Sequence, residues 1–274
     1  MKAQTLPPEE FYALLHQGNP GDQELYQELC SGTHSVLELG CGAGRLIPSL
    51  QQVTAKYYGI ENNPALAAQA QTLASRENTE IMIADARQLN FIKTRFERIL
   101  LPYNFLYCLG GLEGARQCIE GLAPILTESG SLWLDVYPVD DFHRAALESE
   151  LPQDDQEPIA ELLTSVGQLQ IYENTTILPK EQRLIVEYQA LNQQQVLVAE
   201  QSIQHDYLLQ DQIFELLEGA GLGELVLRRG FEATQAPETA ESEGIPGQGN
   251  DSFYLAEEDP VLIIGACSNQ VQGD

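Results

Sequence analysis

The chain has 274 residues and a formal net charge of −27, with 41 aspartates and glutamates against 14 lysines and arginines. Such a field repels phosphate backbones and anionic lipid surfaces, and no Lys/Arg cluster offsets it, so neither nucleic acid nor membrane is an expected partner. No apolar run approaches the ~20 residues of a membrane span, and the N-terminus lacks the apolar core of a signal peptide. We therefore expect a cytoplasmic protein that acts on small molecules.

The cysteines are five in number, widely scattered, and include no C-x-x-C pair. An odd, dispersed set favours neither a disulfide framework nor a zinc site. The sequence also has no H-x-E or H-E-x-x-H cluster, so we expect no bound metal.

The first predicted strand is followed by three glycines at every second position. Residues 36–39 form an apolar run that ends in Glu38-Leu39, and Gly40, Gly42 and Gly44 follow. This pattern predicts a buried parallel strand, a tight turn and a helix start. Glycine lets a ligand approach the main chain, and a helix start offers N–H groups to an acidic group. Cys41 is interpreted as a small residue that fits the crowded turn, with a nucleophilic role as the poorer alternative.

Strands and helices alternate through the first half of the chain. A helical region over residues 8–30, broken at residues 18–21, comes first, and Asn63 is the predicted N-cap of a helix that Pro64 opens. The alternation predicts a doubly wound α/β fold with ligand sites at the carboxyl ends of its strands. The predicted strands are residues 35–39, 57–61, 81–85, 98–101 and 132–137.

After Tyr137 the pattern changes to a helix over residues 140–151 and an antiparallel meander. We predict a Rossmann-like domain with a mostly parallel seven-stranded sheet from residues 1–150 and 209–274, and a β lid from residues 159–208. The predicted meander strands are 168–178, 183–191 and 196–208; a helix over 213–220, a strand over 224–228, a polar loop over 232–252 and a strand over 261–266 follow.

Acidic residues stand at the ends of the first three predicted strands. Glu61 is placed to accept both hydroxyls of a ribose, and Asp85 with the main chain of Ala86 to read an adenine edge. Glu38 stands just before the first glycine. The glycine spacing is G-x-G-x-G rather than the dinucleotide pattern G-x-G-x-x-G, which weakens the alternative of a nicotinamide-dependent oxidoreductase.

These motifs resemble the class I S-adenosylmethionine-dependent methyltransferases over residues 8–137. Residues 38–44 are similar to the first motif of that family, and residues 101–106 to its fourth. The meander is similar in layout to the β-lid of bacterial small-molecule methyltransferases. The resemblance implies S-adenosylmethionine as cofactor, S-adenosylhomocysteine as product, and a small-molecule methyl acceptor. The cofactor-binding residues expected from it are Glu38, Gly40, Cys41, Gly42, Gly44, Glu61, Asn62, Asp85, Ala86, Pro102, Tyr103 and Asn104.

The sequence says less about the residues that act on the methyl acceptor than about those that bind the cofactor. A hydroxyl acceptor benefits from a general base, whereas an amine acceptor must be neutral. His143 and Tyr103 are the candidate catalytic residues, with Asp135, Tyr137 and His205 as further candidates for the base. A non-catalytic S-adenosylmethionine-binding sensor or scaffold is the third hypothesis, and the oligomeric state is open.

Overall fold

The computed structural model describes residues 5–148, 157–231, 238–239 and 261–268. These residues form two compact units. The larger unit holds residues 18–139, 208–231, 238–239 and 261–268, and the smaller one holds residues 5–17, 140–148 and 157–207.

The larger unit contains a sheet with the strand order β3-β2-β1-β4-β5-β12-β10-β11. The five strands from β3 to β5 run parallel, and β12, β10 and β11 are each antiparallel to their neighbours. This confirms the predicted Rossmann-like sheet, to which the two-residue β11 adds a strand. The strands are β1 (Ser35–Leu39), β2 (Lys56–Glu61), β3 (Thr79–Ile83), β4 (Phe96–Leu101), β5 (Leu126–Val136), β10 (Leu222–Arg229), β11 (Glu238–Thr239) and β12 (Leu262–Ser268).

Strand β1 lies inside the sheet between β2 and β4, and all five of its residues are buried. This explains its near-continuous apolar sequence, since a parallel strand is covered on both faces. Strand β3 lies at the sheet edge, where among the described residues it pairs with β2 alone, and it ends at the pair Glu61–Ile83. It therefore stops two residues before Asp85, which the sequence had placed at the strand end.

The helices of the larger unit follow the predicted order, although α7 (Gln210–Gly219) begins three residues before the predicted 213–220 and ends one residue earlier. Asn63 caps α4, since its Oδ1 accepts from the N–H groups of Ala65 and Leu66 at 2.9 and 3.4 Å. The predicted N-cap is thereby confirmed. The chain after the glycines makes a turn before α3 begins at Ile47. These helices are α2 (Asp22–Cys30), α3 (Ile47–Val53), α4 (Pro64–Leu73), α5 (Gly111–Leu122) and α7 (Gln210–Gly219).

The smaller unit contains helices α1 (Pro8–Leu15) and α6 (Asp140–Glu148) and an antiparallel sheet in the order β6-β7-β8-β9. The three predicted meander strands are confirmed, and β6 adds a fourth that the sequence did not indicate. Phe11 of α1 is fully buried in a core with Leu169 and Ile171 of β7. The use of this sheet as a lid stays a prediction. The strands are β6 (Ala160–Thr164), β7 (Gly167–Leu178), β8 (Arg183–Asn192) and β9 (Leu197–Asp206).

Part of the predicted polar loop and the end of the predicted helix over 140–151 lie outside the described residues. Within the described ranges, no helix combines the length and the apolar character that a membrane span requires.

Candidate active site

The glycine turn has the left-handed backbone that its sequence suggests. Gly40, Gly42 and Gly44 have φ angles of +67°, +55° and +93°. A Cβ added to Gly40 would lie 2.1 Å from the Phe105 ring, and one added to Gly44 would lie 2.9 Å from the Cα of Ala70. The protein's own packing therefore requires glycine at these two positions, in addition to any approach of a ligand.

Cys41 fills a space that another glycine provides. A Cβ on Gly59 of β2 would lie 2.9 Å from the Cys41 sulfur. The Cys41 side chain is buried, and burial raises the pKa of its thiol far above the ordinary value. Because the thiolate is the nucleophile, a protonated thiol supports the interpretation of Cys41 as a small packing residue.

Glu61 joins the end of β2 to the glycine turn. Its side chain is buried, Oε2 accepts from the N–H of Gly42 at 3.0 Å, and Oε1 accepts from the N–H of Asn63 at 2.7 Å. Each carboxylate oxygen has two lone pairs, so one acceptor position remains on each. Two free acceptor positions on one carboxylate match a vicinal diol. Asn62, between Glu61 and the helix cap, is exposed.

Asp85 follows the edge strand β3 and forms an ion pair with Arg87, two residues further along the chain. Arg87 donates from Nε to Oδ1 at 2.9 Å and from a terminal nitrogen to Oδ2 at 2.7 Å. These hydrogen bonds from Arg87 lower the pKa of the Asp85 carboxyl. Asp85 is thus ionised and partly exposed, and the neighbouring Ala86 is buried.

The segment after β4 has an unusual backbone. Tyr103 and Asn104, which follow the buried Pro102, both have positive φ angles, +56° and +60°. Such angles in non-glycine residues cost on the order of 1–3 kcal/mol each and cluster at functional sites. Asp135 holds this backbone, since its Oδ1 accepts from the N–H of Tyr103 at 2.8 Å and its carbonyl from that of Asn104 at 3.0 Å. The Asn104 Oδ1 accepts from the N–H of Tyr137 at 2.7 Å, which commits that oxygen to the backbone.

The buried carboxylates of Glu38 and Asp135 each accept a hydrogen bond from a tyrosine. Tyr57 donates to Oε2 of Glu38 at 2.5 Å, and Tyr26 donates to Oδ1 of Asp135. Burial is the main cause that raises the pKa of Glu38 to about 7 and that of Asp135 to about 6. Both groups therefore ionise close to neutral pH.

Arg45, directly after the last glycine, forms a two-pronged ion pair with the buried Asp22. Its terminal nitrogens donate to Oδ1 at 2.8 Å and to Oδ2 at 2.7 Å. The Arg45 guanidinium carbon also lies 5.8 Å from the centre of the Tyr103 ring, within the range of a cation–π contact. We name the side chains of Asp22, Tyr26, Glu38, Arg45 and Asp135 the acidic cluster.

Sequence reasoning missed the roles of Tyr26 and Arg45. Tyr26 lies 109 positions before Asp135, so no local pattern connects the two. Arg45 stands next to the glycine motif in the sequence, but its partner Asp22 lies on α2. The only available signal was the sequence position of Arg45 beside the turn.

The histidine candidates lie in the smaller unit. His143 Nδ1 lies 2.8 Å from the hydroxyl of Tyr207, whose pKa burial raises to about 12. Burial lowers the pKa of His205 to about 4. The pKa of His16 is also lowered to about 4, chiefly by burial and further by the charge of the nearby His205. His205 and His16 are thus neutral at neutral pH. Within the described residues, no group of three or more potential metal ligands is placed to hold an ion.

The residues of the larger unit fit the expected cofactor. The turn presents glycine main chain beside a buried carboxylate with spare acceptor positions, and Asp135 has an oxygen without a hydrogen-bond partner in the described part of the chain. A ligand with a diol and a cationic donor matches these groups chemically. Of the predicted residues, the structure brings Glu38, Glu61 and the segment 102–104 to the glycine turn.

Comparisons with known proteins identify a similar domain and similar folds. Residues 36–130 match the family model described as a methyltransferase domain. Similar solved structures include the CcbJ methyltransferase from Streptomyces caelestis, with 15% identity, coverage of 96% of this chain and 93% of that one, and a TM-score of 0.69. The sugar N-methyltransferase KedS8 from a Streptoalloteichus species has 13% identity, coverage of 98% and 96%, and a TM-score of 0.67.

A third similar structure is S-adenosylmethionine-bound CalS10, an amino pentose methyltransferase from Micromonospora echinaspora involved in calicheamicin biosynthesis. It has 11% identity, coverage of 96% of this chain and 98% of that one, and a TM-score of 0.65. The search of curated proteins finds no match.

The larger unit therefore has the Rossmann-like fold of the class I methyltransferases. The chain contains a methyltransferase domain over residues 36–130 and is an enzyme. The methyltransferase-domain match agrees with the resemblance from which S-adenosylmethionine is expected as the cofactor.

Proposed function

We propose that the protein binds S-adenosylmethionine on the glycine turn and transfers its methyl group to a small-molecule acceptor by in-line displacement. The observation that carries the proposal is the buried Glu61 carboxylate, which is hydrogen-bonded to the turn at Gly42 and keeps an acceptor position on each oxygen. It supports a ribose diol at this position, beside the main chain of the glycine residues of the turn. The acceptor class and a cytoplasmic location belong to the same proposal.

The remaining predicted residues receive roles in this proposal. Ala86 and Asp85 hold the adenine, with the adenine amino group competing with Arg87 for the Asp85 carboxylate. Glu38, Cys41 and the glycines lie along the methionine half, and Asn62 lies beside the ribose. Pro102, Tyr103 and Asn104 line the reacting end, and Asp135 accepts hydrogen bonds from the left-handed backbone of Tyr103 and Asn104.

The cofactor supplies a methyl group that its sulfonium already activates. The chain's own residues then need to align the acceptor with the methyl carbon and the sulfur, and to exclude water. A hydrogen-bonded loop such as residues 102–104 suits this task, because hydrogen bonds to Asp135 hold its backbone in place.

An amino sugar is the acceptor class to test first. Two of the similar structures are described as an amino pentose methyltransferase and a sugar N-methyltransferase. An amine acceptor must be neutral when it attacks, and a histidine can remove its proton. His143, held at Nδ1 by the Tyr207 hydroxyl, is our candidate for this base.

Binding of S-adenosylhomocysteine, measured by calorimetry, tests the cofactor site. The wild-type protein is expected to bind it saturably, and Glu61→Gln to bind it roughly 10- to 100-fold more weakly, since charge-assisted hydrogen bonds contribute about 1.5–3 kcal/mol each. Glu80→Gln, at an exposed position of β3, is the matched control and is expected to bind like wild type. No detectable wild-type binding at millimolar ligand would refute the proposal.

Methyl transfer is then measured by mass spectrometry with panels of amino sugars and of their hydroxyl counterparts. The expected product carries one added methyl on nitrogen. Products only from the hydroxyl panel would keep the methyltransferase and refute the amine acceptor.

A further inference from the structure

The two oxygens of the buried Asp135 carboxylate differ in their hydrogen bonding: Oδ1 accepts hydrogen bonds, whereas Oδ2 has no partner among the described residues. Its side chain is 1% exposed, and Oδ1 accepts from the Tyr103 N–H at 2.8 Å and from the Tyr26 hydroxyl. Oδ2 is buried and has no hydrogen-bond partner within the described ranges. A buried ionised oxygen without a donor is costly, so this atom indicates a donor that the described residues do not provide.

The acidic cluster also lacks positive charge. It contains the three carboxylates of Asp22, Glu38 and Asp135, but only the guanidinium of Arg45, which is bound to Asp22 through two hydrogen bonds. Glu38 is bound by the neutral phenol of Tyr57. The missing donor at Asp135 is therefore expected to be cationic, because a positive charge balances the excess of carboxylates.

The chemistry of the free oxygen decides between two possible cations. A sulfonium is positive but has no N–H or O–H, so it cannot satisfy a hydrogen-bond acceptor. An ammonium has three donors. The Asp135 oxygen therefore fits an ammonium group better than a sulfonium.

A second unpartnered group lies in the same region. The Nδ2 of Asn19 is buried and has no partner in the described part of the chain. The Asn19 N–H donates to Oδ2 of Asp22 at 3.1 Å, which places this residue beside the Asp22–Arg45 pair. Asp22 and Arg45 also act electrostatically on Asp135. One unpaired donor and one unpaired acceptor around a single ion pair match the carboxylate and the ammonium of an α-amino acid.

We propose that Asp135 Oδ2 binds the α-ammonium group of the methionine half of the cofactor, and that Asn19 Nδ2 faces its α-carboxylate. This inference rests on the proposed function. It makes Asp135 a specificity-determining residue for the amino-acid end of the ligand rather than a general base.

The inference predicts a pH dependence. An ammonium requires the ionised carboxylate, and the pKa of Asp135 is raised to about 6, chiefly by burial. Affinity for S-adenosylhomocysteine is then expected to fall about tenfold between pH 7 and pH 5. The charged and titratable groups that face Asp135 are Asp22 and Tyr26 of α2 and Arg45 of the turn, with Glu38 next to Tyr26.

The test compares two ligands on two variants by calorimetry. The ligands are S-adenosylhomocysteine and the analogue that lacks only its α-amino group. Asp135→Asn keeps an Oδ1 acceptor for Tyr103 and Tyr26 but removes the charge. We expect it to weaken S-adenosylhomocysteine at least tenfold and the analogue less than threefold, and we expect only the first ligand to lose affinity at pH 5.

Glu80→Gln is the matched control, because it removes an exposed carboxylate of β3 that has no place in the proposed site. It is expected to leave the ratio between the two affinities unchanged. Equal weakening of both ligands by Asp135→Asn, or the same change of ratio in Glu80→Gln, would overturn the inference. Since wild-type binding of S-adenosylhomocysteine is measured first, its absence would refute the proposed function, whereas its presence with an unchanged ratio refutes only the role of Asp135.

Discussion

Replacing Glu38 by Gln is expected to stabilise the protein above neutral pH, although Glu38 belongs to the proposed site. The pKa of this buried carboxyl is raised from 4.5 to about 7. The folded state therefore holds the proton more tightly than the unfolded state, so ionisation of Glu38 opposes folding. This cost is absent below pH 4.5, grows between pH 4.5 and 7, and is complete above pH 7.

The size of the effect follows from the shift. At 1.36 kcal/mol per pKa unit, a shift from 4.5 to about 7 corresponds to about 3 kcal/mol at pH 8.5 and about 1 kcal/mol at pH 5. Glutamine is neutral throughout and retains an oxygen that accepts from Tyr57. The gain of the variant over wild type is thus expected to be about 2 kcal/mol larger at pH 8.5 than at pH 5. This difference cancels any constant cost of burying an amide.

Urea unfolding followed by fluorescence measures this gain. Trp133 is the only tryptophan of the chain and lies on β5, in the same unit as Glu38. The lower pH is 5 because the chain is near its pI of about 4.3 at more acidic values. Glu77→Gln, at an exposed turn position, is expected to change stability by less than ~0.5 kcal/mol at both pH values. A Glu38→Gln variant whose gain is the same at pH 5 and pH 8.5 would contradict the reasoning.

Three further outcomes are expected. Gly40→Ala, which forces a Cβ against the Phe105 ring, is expected to cost at least ~2 kcal/mol in urea unfolding, whereas Gly32→Ala has a similar φ of +73° and open space and is expected to cost only ~1 kcal/mol. Equal losses would show that backbone strain alone matters. Asn63→Ala removes the cap of α4 and is expected to cost about 1 kcal/mol, with Asn63→Asp close to wild type. In thiol labelling, the exposed Cys108 is expected to react before the buried Cys41; equal rates would contradict the packing role of Cys41.

Two carboxylates of the acidic cluster lower the stability of the fold at neutral pH, and the proposed site uses them for binding. Glu38 and Asp135 both have raised pKa values, so each ionised carboxylate opposes folding at neutral pH. Proteins retain such groups where binding requires them. In the proposed complex, a cationic ligand would compensate for part of this cost.

Local patterns in the sequence were sufficient for the framework of the fold. The strand over residues 35–39 and the cap at Asn63 depend on features within a few residues, namely apolar runs, glycines and a capping side chain. The ends of strands and the edge strands of the sheets were less predictable than the central strands. Strand β3 ends at Ile83, opposite the last residue of its described neighbour β2, and β6 pairs with the edge of β7.

The sequence by itself determined the order of strands and helices, the glycine turn, and the acids that follow successive strands, because each of these is set by neighbouring residues. Only the tertiary structure decided which partner binds each acidic side chain and which of the carboxyls have raised pKa values. Tyr26 reaches Asp135, Tyr57 reaches Glu38, and Arg45 reaches Asp22 across the fold. Burial then raises the pKa of two of these carboxyls, and burial is a property of the packed molecule that no local pattern contains.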